Sequence, residues 1–176
     1  MFDSYDDSGL FVAIDLSNEL TAGASRPVER LGRILAIDPA SVAQLSEAEV
    51  EPFTHLAVEL RATIEALAEG DVDGAAGWVN ELLARFPAHP HLAREDGRWR
   101  LHHHPADLAL VPMWSAICAE ALARLIGSGR HGRIGLCAAS GCDRAFVDQS
   151  KNGTKRYCSL TCQNRAKTAA FRQRAR

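Results

Sequence analysis

Four cysteines form two close pairs in the last quarter of the chain, and they constrain the fold more than any other feature. Four residues separate Cys137 from Cys142, fifteen separate Cys142 from Cys158, and three separate Cys158 from Cys162. Each close pair can supply two thiolates from one tight backbone feature, and zinc takes four such ligands in a tetrahedron with Zn–S distances of about 2.3 Å. The pattern therefore predicts one structural zinc ion, bound by Cys137, Cys142, Cys158 and Cys162.

Two disulfides, or four unrelated thiols, are the alternatives to a zinc site. The first seven residues, MFDSYDD, have neither the basic start nor the apolar core of a secretory signal. We therefore expect a cytoplasmic protein, whose thiols stay reduced and available to a metal. No apolar stretch approaches the length of a membrane span, so we expect no contact with a membrane.

Charge divides the chain into an acidic and a basic part. Residues 130–176 hold eleven basic and two acidic residues, a formal charge of +9, whereas residues 1–129 carry −11. We predict two domains with these bounds: an acidic body (residues 1–129) and a basic zinc module (residues 130–176). A module of this size can rarely fold by burial alone, so the metal should hold it together. Its charge favours binding to phosphate backbones, although a solvated charge run would look similar.

The end of the zinc module predicts a basic helix. It begins near Leu160, Ser159 can cap it, and strong helix formers fill it. The candidate nucleic-acid contacts are the basic residues of this helix and of the segment before it: Arg165, Lys167, Arg172, Arg174, Arg176, Lys151, Lys155 and Arg156.

The basic residues of this helix fall on two stripes, at about 100° per residue. One stripe consists of Arg165, Arg172 and Arg176. Lys167 and Arg174 form a second stripe, roughly opposite the first. Leu160 and Phe171 lie beside the second stripe, and we expect them to face the zinc site or the body. The three-arginine stripe would then point outward, as the main contact surface.

The run from Cys137 to Lys167 resembles the CGNR zinc finger, a family named for the tetrad at its last cysteine. Cys162, Asn164 and Arg165 match the tetrad, and Gln163 stands where the glycine would be. Further matching positions are Phe146, Asp148, Ser150, Arg156, Tyr157, Cys158, Ser159, Ala166 and Lys167. Proteins of this family generally carry an ABATE-type domain upstream of the finger. The resemblance therefore implies a stress-related transcriptional regulator, and the layout of the body agrees with it.

Helix signals dominate the acidic body. Asp38 before a proline is a helix start, and Ser46 with Glu49 forms a capping box before a longer helix that runs to about Glu69. Pro52 means that this helix is kinked or begins later. A further helix is predicted at about residues 74–86.

Two more segments of the body are apolar. The run at residues 11–16 fits either a strand or a buried helical turn. A helix that opens at Pro105 carries a stripe that should form the centre of the core: Leu108, Val111, Trp114, Cys118, Leu122 and Leu125. We expect the glycine-rich stretch 127–132 to be a flexible hinge.

A β-hairpin is predicted at residues 91–95 and 98–102, around an Asp-Gly turn. Trp99 and Leu101 would share one face of it. Because an isolated hairpin is unstable in water, we expect it to lie on the helical body.

The histidines near the hairpin raise the question of a second metal site. His89, His91 and the triplet 102–104 lie close in sequence. In an extended strand, however, His103 points away from its two neighbours, so surface histidines are the favoured interpretation.

No catalytic residues are predicted, and we do not expect an enzyme. The sequence has no glycine-rich phosphate loop, nucleophile elbow or HExxH helix. A zinc ion with four cysteine ligands also has no open position for water. Cys118 lies on the apolar stripe and fits a small buried side chain better than a redox thiol.

Together these features predict an α+β fold: a mainly helical N-terminal body with a small β-hairpin, and a four-cysteine zinc module of the knuckle-and-helix, treble-clef-like type. The predicted function is that of a DNA-binding transcriptional regulator whose partner is double-stranded DNA. The body would sense a small-molecule ligand or form a homodimer. The alternatives are a module that docks an acidic protein surface, such as its own body, and an RNA-binding protein.

Overall fold

The computed structural model describes residues 8–20, 24–95, 97–102 and 108–174, and for Glu95, Arg100 and Arg174 it describes the backbone alone. The described helices are α1 (Ser8–Glu19), α2 (Pro27–Ile34), α3 (Pro39–Gln44), α4 (Val50–Glu69), α5 (Val72–Arg85), α6 (Leu110–Gly127) and α7 (Leu160–Arg174). The strands are β1 (His91–Glu95), β2 (Arg98–His102), β3 (Ile134–Leu136) and β4 (Ala145–Val147). They form two separate antiparallel hairpins, β1–β2 and β3–β4.

The body is built on four helices that pack on one another. α1 packs against α4 and α6, and α5 packs against the same two helices. The apolar run at residues 11–16 belongs to α1, where buried side chains lie on most sides of the helix. A helix that is apolar nearly all round needs burial, and α4 and α6 supply it. The mostly helical body predicted from the sequence is confirmed.

Local signals set the helix ends as predicted. The Asp38 carboxylate accepts hydrogen bonds from the N–H groups of Ala40 and Ser41, each at 3.2 Å, and so caps α3. Ser46 caps a 3₁₀ turn before α4, which begins at Val50 and so holds its proline in the first turn. Proline has no N–H, and the N–H groups of the first turn have no partner within a helix, so proline is tolerated there. The helix therefore begins after the capping box, one of the two outcomes predicted.

Helix α6 lies at the centre of the core. The Trp114, Cys118, Leu122 and Leu125 side chains are buried along one stripe of it, and the Trp114 Nε1–H donates to Ser41 Oγ at 3.0 Å. Burial raises the pKa of the Cys118 thiol. The helix begins at Leu110, later than predicted, because Ala109 is extended and forms its N-cap. Leu108 therefore precedes the helix instead of lying on its stripe, and Pro105 itself lies outside the described residues.

By length and composition α6 could cross a membrane, the one described helix of which this is true. The expectation that no apolar stretch approaches that length is therefore wrong for α6. Half of the helix is buried inside the protein, against α1, α4 and α5, so its apolar composition is that of a core helix.

The β1–β2 hairpin forms as predicted, but within the described part of the chain its apolar face does not pack on the body as expected. Leu92 pairs with Leu101 across the strands, and Trp99 shares their face. Leu92, Trp99 and Leu101 are 65%, 67% and 48% exposed. The segment 87–90, with a proline at each end, favours extended backbone and separates the hairpin from α5. The rings of His91 and His102 stack with centroids 5.4 Å apart, whereas His103 and His104 lie outside the described residues.

The expected flexible hinge at residues 127–132 is an ordered connection instead. The Arg130 N–H donates to Leu125 O at 3.1 Å, and Gly129 adopts a φ of +68°, which together cap α6. A 3₁₀ turn (His131–Arg133) leads directly into β3. Ile134, Ala145 and Val147 of the β3–β4 hairpin are buried in the same core as the helices of the body. The two parts of the chain therefore share one hydrophobic core.

Candidate metal centre and basic surface

The first pair of cysteines forms the turn of the β3–β4 hairpin. Cys137 follows β3 directly, and its N–H donates to Arg144 O at 2.9 Å. The Cys142 N–H donates to Ala139 O at 3.0 Å, and Gly141 adopts a φ of +69°, which favours glycine. This tight turn places both sulfur atoms on one side of the hairpin end.

The second pair comes from the start of α7. Ser159 Oγ accepts a hydrogen bond from the Cys162 N–H at 3.2 Å and so caps the helix as predicted. Cys158 lies just before the helix, and its N–H donates to Cys137 Sγ at 3.4 Å. The cap and this N–H···S contact fix both thiols of the second pair against the first.

The four sulfur atoms have the geometry of a tetrahedral metal site. All lie within 4.8 Å of one another. Cys158 Sγ is 3.8 Å from Cys142 Sγ and 3.7 Å from Cys162 Sγ. Four sulfurs at about 2.3 Å from one zinc ion would lie about 3.8 Å apart, whereas a disulfide needs about 2.05 Å. The cysteines are free thiols, and they form the site of one structural zinc ion.

The surroundings shift the pKa values of two of the thiols, Cys137 and Cys158, in opposite directions. Burial opposes the charge of Cys137, but N–H donors from the Cys158 and Ala139 backbone outweigh it and lower the pKa of Cys137 to about 7. Burial and the neighbouring thiols raise the pKa of Cys158 to about 12. A bound zinc ion would supply the positive charge that lets all four thiolates form. The Arg165 guanidinium lies 3.8 Å from Cys162 Sγ and adds positive charge beside the cluster.

A buried carboxylate organises the loop between β4 and the second cysteine pair. Asp148 accepts hydrogen bonds from the N–H groups of Ser150 and Lys155, both at 2.8 Å. Burial would raise the pKa of Asp148, but these bonds and the Arg133 charge lower it overall. Arg133 also donates to Ser150 O at 2.5 Å. The loop that carries Lys151 and Lys155 is therefore held in one shape.

The structure describes the side chains of six of the eight predicted nucleic-acid contacts, and all six are exposed: Lys151, Lys155, Arg156, Arg165, Lys167 and Arg172. The side chain of Arg174 and the whole of Arg176 lie outside the described residues. Among the described residues, none of the six forms an ion pair with a carboxylate. By contrast, Arg144, close to the body, pairs with Glu19 at 2.7 Å.

The orientation expected for Leu160 and Phe171 is wrong. Both were expected to face the zinc site or the body, but they are 77% and 72% exposed. The helix turns smaller side chains inward instead, with Cys162 buried and Ala166 and Ala170 partly buried. Small residues allow close packing at the metal site, and they leave the larger apolar side chains on the outer face.

An open groove separates the Asp148 loop from the start of α7. Its volume is about 610 Å³. Lys155, Arg156 and Tyr157 line one side, and Leu160 and Gln163 line the helix side. The Lys155 ammonium lies 5.0 Å from the centre of the Phe146 ring, which orients it by a cation–π contact. Sequence reasoning missed the groove because it forms between segments whose relative position only the folded module sets.

Polar contacts attach the zinc module to the body. The Asn18 side chain accepts from the Ala145 N–H at 2.8 Å and donates to Ala145 O at 3.0 Å. Glu19 bridges Arg144 at 2.7 Å and Arg30 at 2.6 Å. Sequence reasoning missed these contacts because their partners lie up to 127 residues apart in the chain.

Changing Glu19 to glutamine should lower the free energy of unfolding at pH 7 by about 1 kcal/mol, the upper end for a partly exposed ion pair. The hydrogen bond from Arg144 lowers the pKa of Glu19 below 4.5, against the effect of burial. The pair therefore stabilises the fold above about pH 4.5, and this contribution is lost as the pH falls through the lower folded-state pKa. Urea titrations at a series of pH values would measure it.

The matched control is Glu69→Gln, at an exposed carboxylate on the same body. It should change stability by less than about 0.5 kcal/mol. Equal losses for the two variants would contradict a specific role for Glu19. The difference in the free energy of unfolding between Glu19→Gln and the unchanged chain should also become smaller below pH 4.5.

Two family models match the chain, in the order that the sequence predicted. The ABATE model, described as "Putative stress-induced transcription regulator", matches residues 12–129, and the CGNR zinc finger model matches residues 133–175. A search of curated proteins finds no match. The first model alone covers more than half of the chain, and the second spans all four cysteines.

Proposed function

The chain belongs to the ABATE family and ends in a CGNR zinc finger, and from that premise we propose that it is a transcriptional regulator that binds double-stranded DNA through the basic surface of its zinc module. The four clustered cysteines and the two family models support zinc binding and a regulatory family. The partner that we propose for the basic surface is duplex DNA. The metal holds the surface in shape, and no chemistry takes place at it.

One observation carries the proposal: some basic residues of the zinc module bond to other parts of the fold, whereas a second group is exposed and has no carboxylate partner among the described residues. Arg144 pairs with Glu19, and Arg133 donates to loop carbonyls, so these two act within the fold. Six further described cations are exposed, and no described carboxylate pairs with them: Lys151, Lys155, Arg156, Arg165, Lys167 and Arg172. Stability alone gives no reason to gather uncompensated positive charge on one small module. A polyanionic partner does.

Rigid supports hold this charge in place. Lys151 and Lys155 lie on the loop that Asp148 fixes, and Arg165 and Lys167 lie on a helix that begins at the metal site. Side chains on a preorganised backbone lose less entropy when they bind. This favours a defined contact surface over a mobile basic tail.

Docking of the zinc module on its own acidic body is less well supported. In that arrangement the cations would meet carboxylates of the body. Among the described residues, only the Arg144–Glu19 pair joins a cation of the zinc module to a carboxylate of the body. RNA binding is also less favoured, because single strands need stacking surfaces and the groove holds one aromatic ring, that of Tyr157.

The test is a titration of the full chain against duplex DNA at several salt concentrations. Each phosphate contact contributes about −0.9 to the slope of log affinity against log salt, so six contacts would give a slope of about −5. Affinity should then fall roughly 1,000-fold between 50 and 200 mM salt. Changing Lys155, Arg156 and Arg172 together to alanine should reduce the slope by about 3.

A matched triple variant of the body serves as the control. Arg33, Arg94 and Arg98 are exposed, and changing them to alanine removes the same three charges. Binding and slope should stay near those of the unchanged chain. Affinity that does not depend on salt, or equal losses for the two triple variants, would argue against the proposed surface.

A further inference from the structure

We infer that one face of α7, formed by Leu160, Asn164, Lys167 and Phe171, reads base edges in the major groove of DNA. The inference rests on the proposed function and adds the residues that would give it sequence selectivity. It also changes the role of the three-arginine stripe, which lies on a different side of the helix.

The four residues form one continuous stripe along the helix. They follow one another at intervals of four, three and four residues, which at about 100° per residue places them within about 60° of arc. With a rise of about 1.5 Å per residue, the stripe is about 16 Å long. Leu160 and Phe171, at its ends, are 77% and 72% exposed, and Asn164 and Lys167 are exposed between them. Each apolar side chain alone would be an ordinary surface residue, but together with the polar pair between them they form a face that a partner could cover.

Charge favours duplex DNA over a protein as that partner. From residue 160 to the C-terminus the sequence has five basic residues and no acidic one. Arg165 and Arg172 lie to one side of the stripe, and the groove with Lys155 and Arg156 lies to the other. A helix with side chains is about 10–12 Å wide and fits a major groove of about 12 Å. The cations on both sides would then meet the phosphates of the two groove walls.

The side chains of the stripe match the chemistry of base edges. An asparagine amide can pair with N6 and N7 of adenine, a lysine can donate to O6 and N7 of guanine, and apolar side chains contact the methyl group of thymine. The Asn164 amide makes no hydrogen bond to another described residue. We therefore expect an A·T pair at the position opposite Asn164.

The experiment selects binding sites from a pool of random duplexes with the full chain, and then titrates the selected site. Changing Asn164 to alanine should erase the preference at one base pair and weaken binding to the selected site on the order of 5- to 100-fold. The salt slope should stay unchanged, because no phosphate contact is lost. Gln173→Ala is the matched control, since it removes an exposed amide from another side of the same helix. It should leave both preference and affinity intact.

Zinc content and helical signal must be normal in every variant that is compared. If the unchanged chain binds no duplex at low salt, the proposed function itself fails. If it binds and selects a site, but Asn164→Ala selects the same site with the same affinity, this inference is overturned while the proposed function stands. Leu160→Ser with Phe171→Ser should reduce selectivity. If this variant keeps full selectivity and instead abolishes self-association of the chain in sedimentation, the face is a protein interface and the inference is wrong.

Discussion

Changing Cys158 to serine is expected to remove the single zinc ion of the chain and to unfold α7 with it. The Cys158 sulfur lies within 3.8 Å of two other ligands, and its N–H donates to a third. In the described part of the module, the cluster around the metal site consists of the buried Cys137, Ala139 and Cys162, with Cys142, Tyr157 and Cys158 packed partly buried against them. So small a core cannot replace metal binding, which is worth about 10–16 kcal/mol in small zinc peptides.

The unfolding should not extend to the β3–β4 hairpin, because Ile134 and Val147 belong to the core of the body. Hydrogen exchange should therefore show rapid exchange across residues 158–174 and continued protection of β3 and β4. Metal analysis should give one zinc per chain before the change and none after it. Chelation of the unchanged chain should have the same effect.

Cys118→Ala is the matched control, since it removes the cysteine that lies far from the cluster in the core of the body. It should keep one zinc per chain and a protected α7. A Cys158→Ser protein with the same zinc content, or with α7 still protected in the absence of metal, would contradict a structural role for the ion.

The zinc site could be predicted from the sequence because its constraints are local. Each cysteine pair lies within one short backbone feature, a hairpin turn for Cys137 and Cys142 and a helix start for Cys158 and Cys162. Because zinc needs four ligands in a tetrahedron, its binding brings the hairpin turn and the helix start together, independently of the fold of the body. The β1–β2 hairpin was equally predictable, because its turn and its alternating residues fix the register locally.

The faces of α7 could not be predicted in the same way. Helical periodicity correctly grouped Leu160 with Phe171, but it does not say which side of a helix meets the protein. The usual assumption that apolar side chains turn inward fails here, because the small Ala166 and Ala170 provide the inner surface instead. Glycines at 127, 129 and 132 likewise indicated a hinge, whereas one of them caps α6.

The contact between body and zinc module was missed for a further reason. Asn18 pairs with the backbone of Ala145 across 127 residues, and no pattern in either segment signals the other. The apolar residues Ile134, Ala145 and Val147 lie in strands of only three residues. From so short a pattern one cannot tell whether they pack inside the zinc module or against the body. Charge suggested two independent parts, since one is acidic and the other basic, but net charge does not determine how hydrophobic residues pack.

A body that ends at Gly129 is therefore expected to be far less stable than the full chain. Ile134 and Val147 are each 5% exposed, in a core shared with α1 and α4. Burying such a side chain contributes about 1.5–3 kcal/mol, so truncation removes about 3–6 kcal/mol from a total that is typically about 5–15 kcal/mol. It also leaves the Asn18 amide without its partner. Urea titrations of residues 1–129 and of the full chain would measure the loss.

A single substitution tests the same contact without deleting the module. Ile134→Ala should cost about 2–5 kcal/mol, whereas Ile37→Ala, at a side chain that is 56% exposed, should cost less than about 0.5 kcal/mol. Equal unfolding midpoints for the full chain and for residues 1–129 would show that the two parts fold independently. If the shared core holds, cutting the chain at residue 129 exposes apolar surface on both fragments. Any change in nucleic-acid binding by a fragment would then reflect lost folding as well as lost contacts, so substitutions of surface residues in the full chain are the sounder test of function.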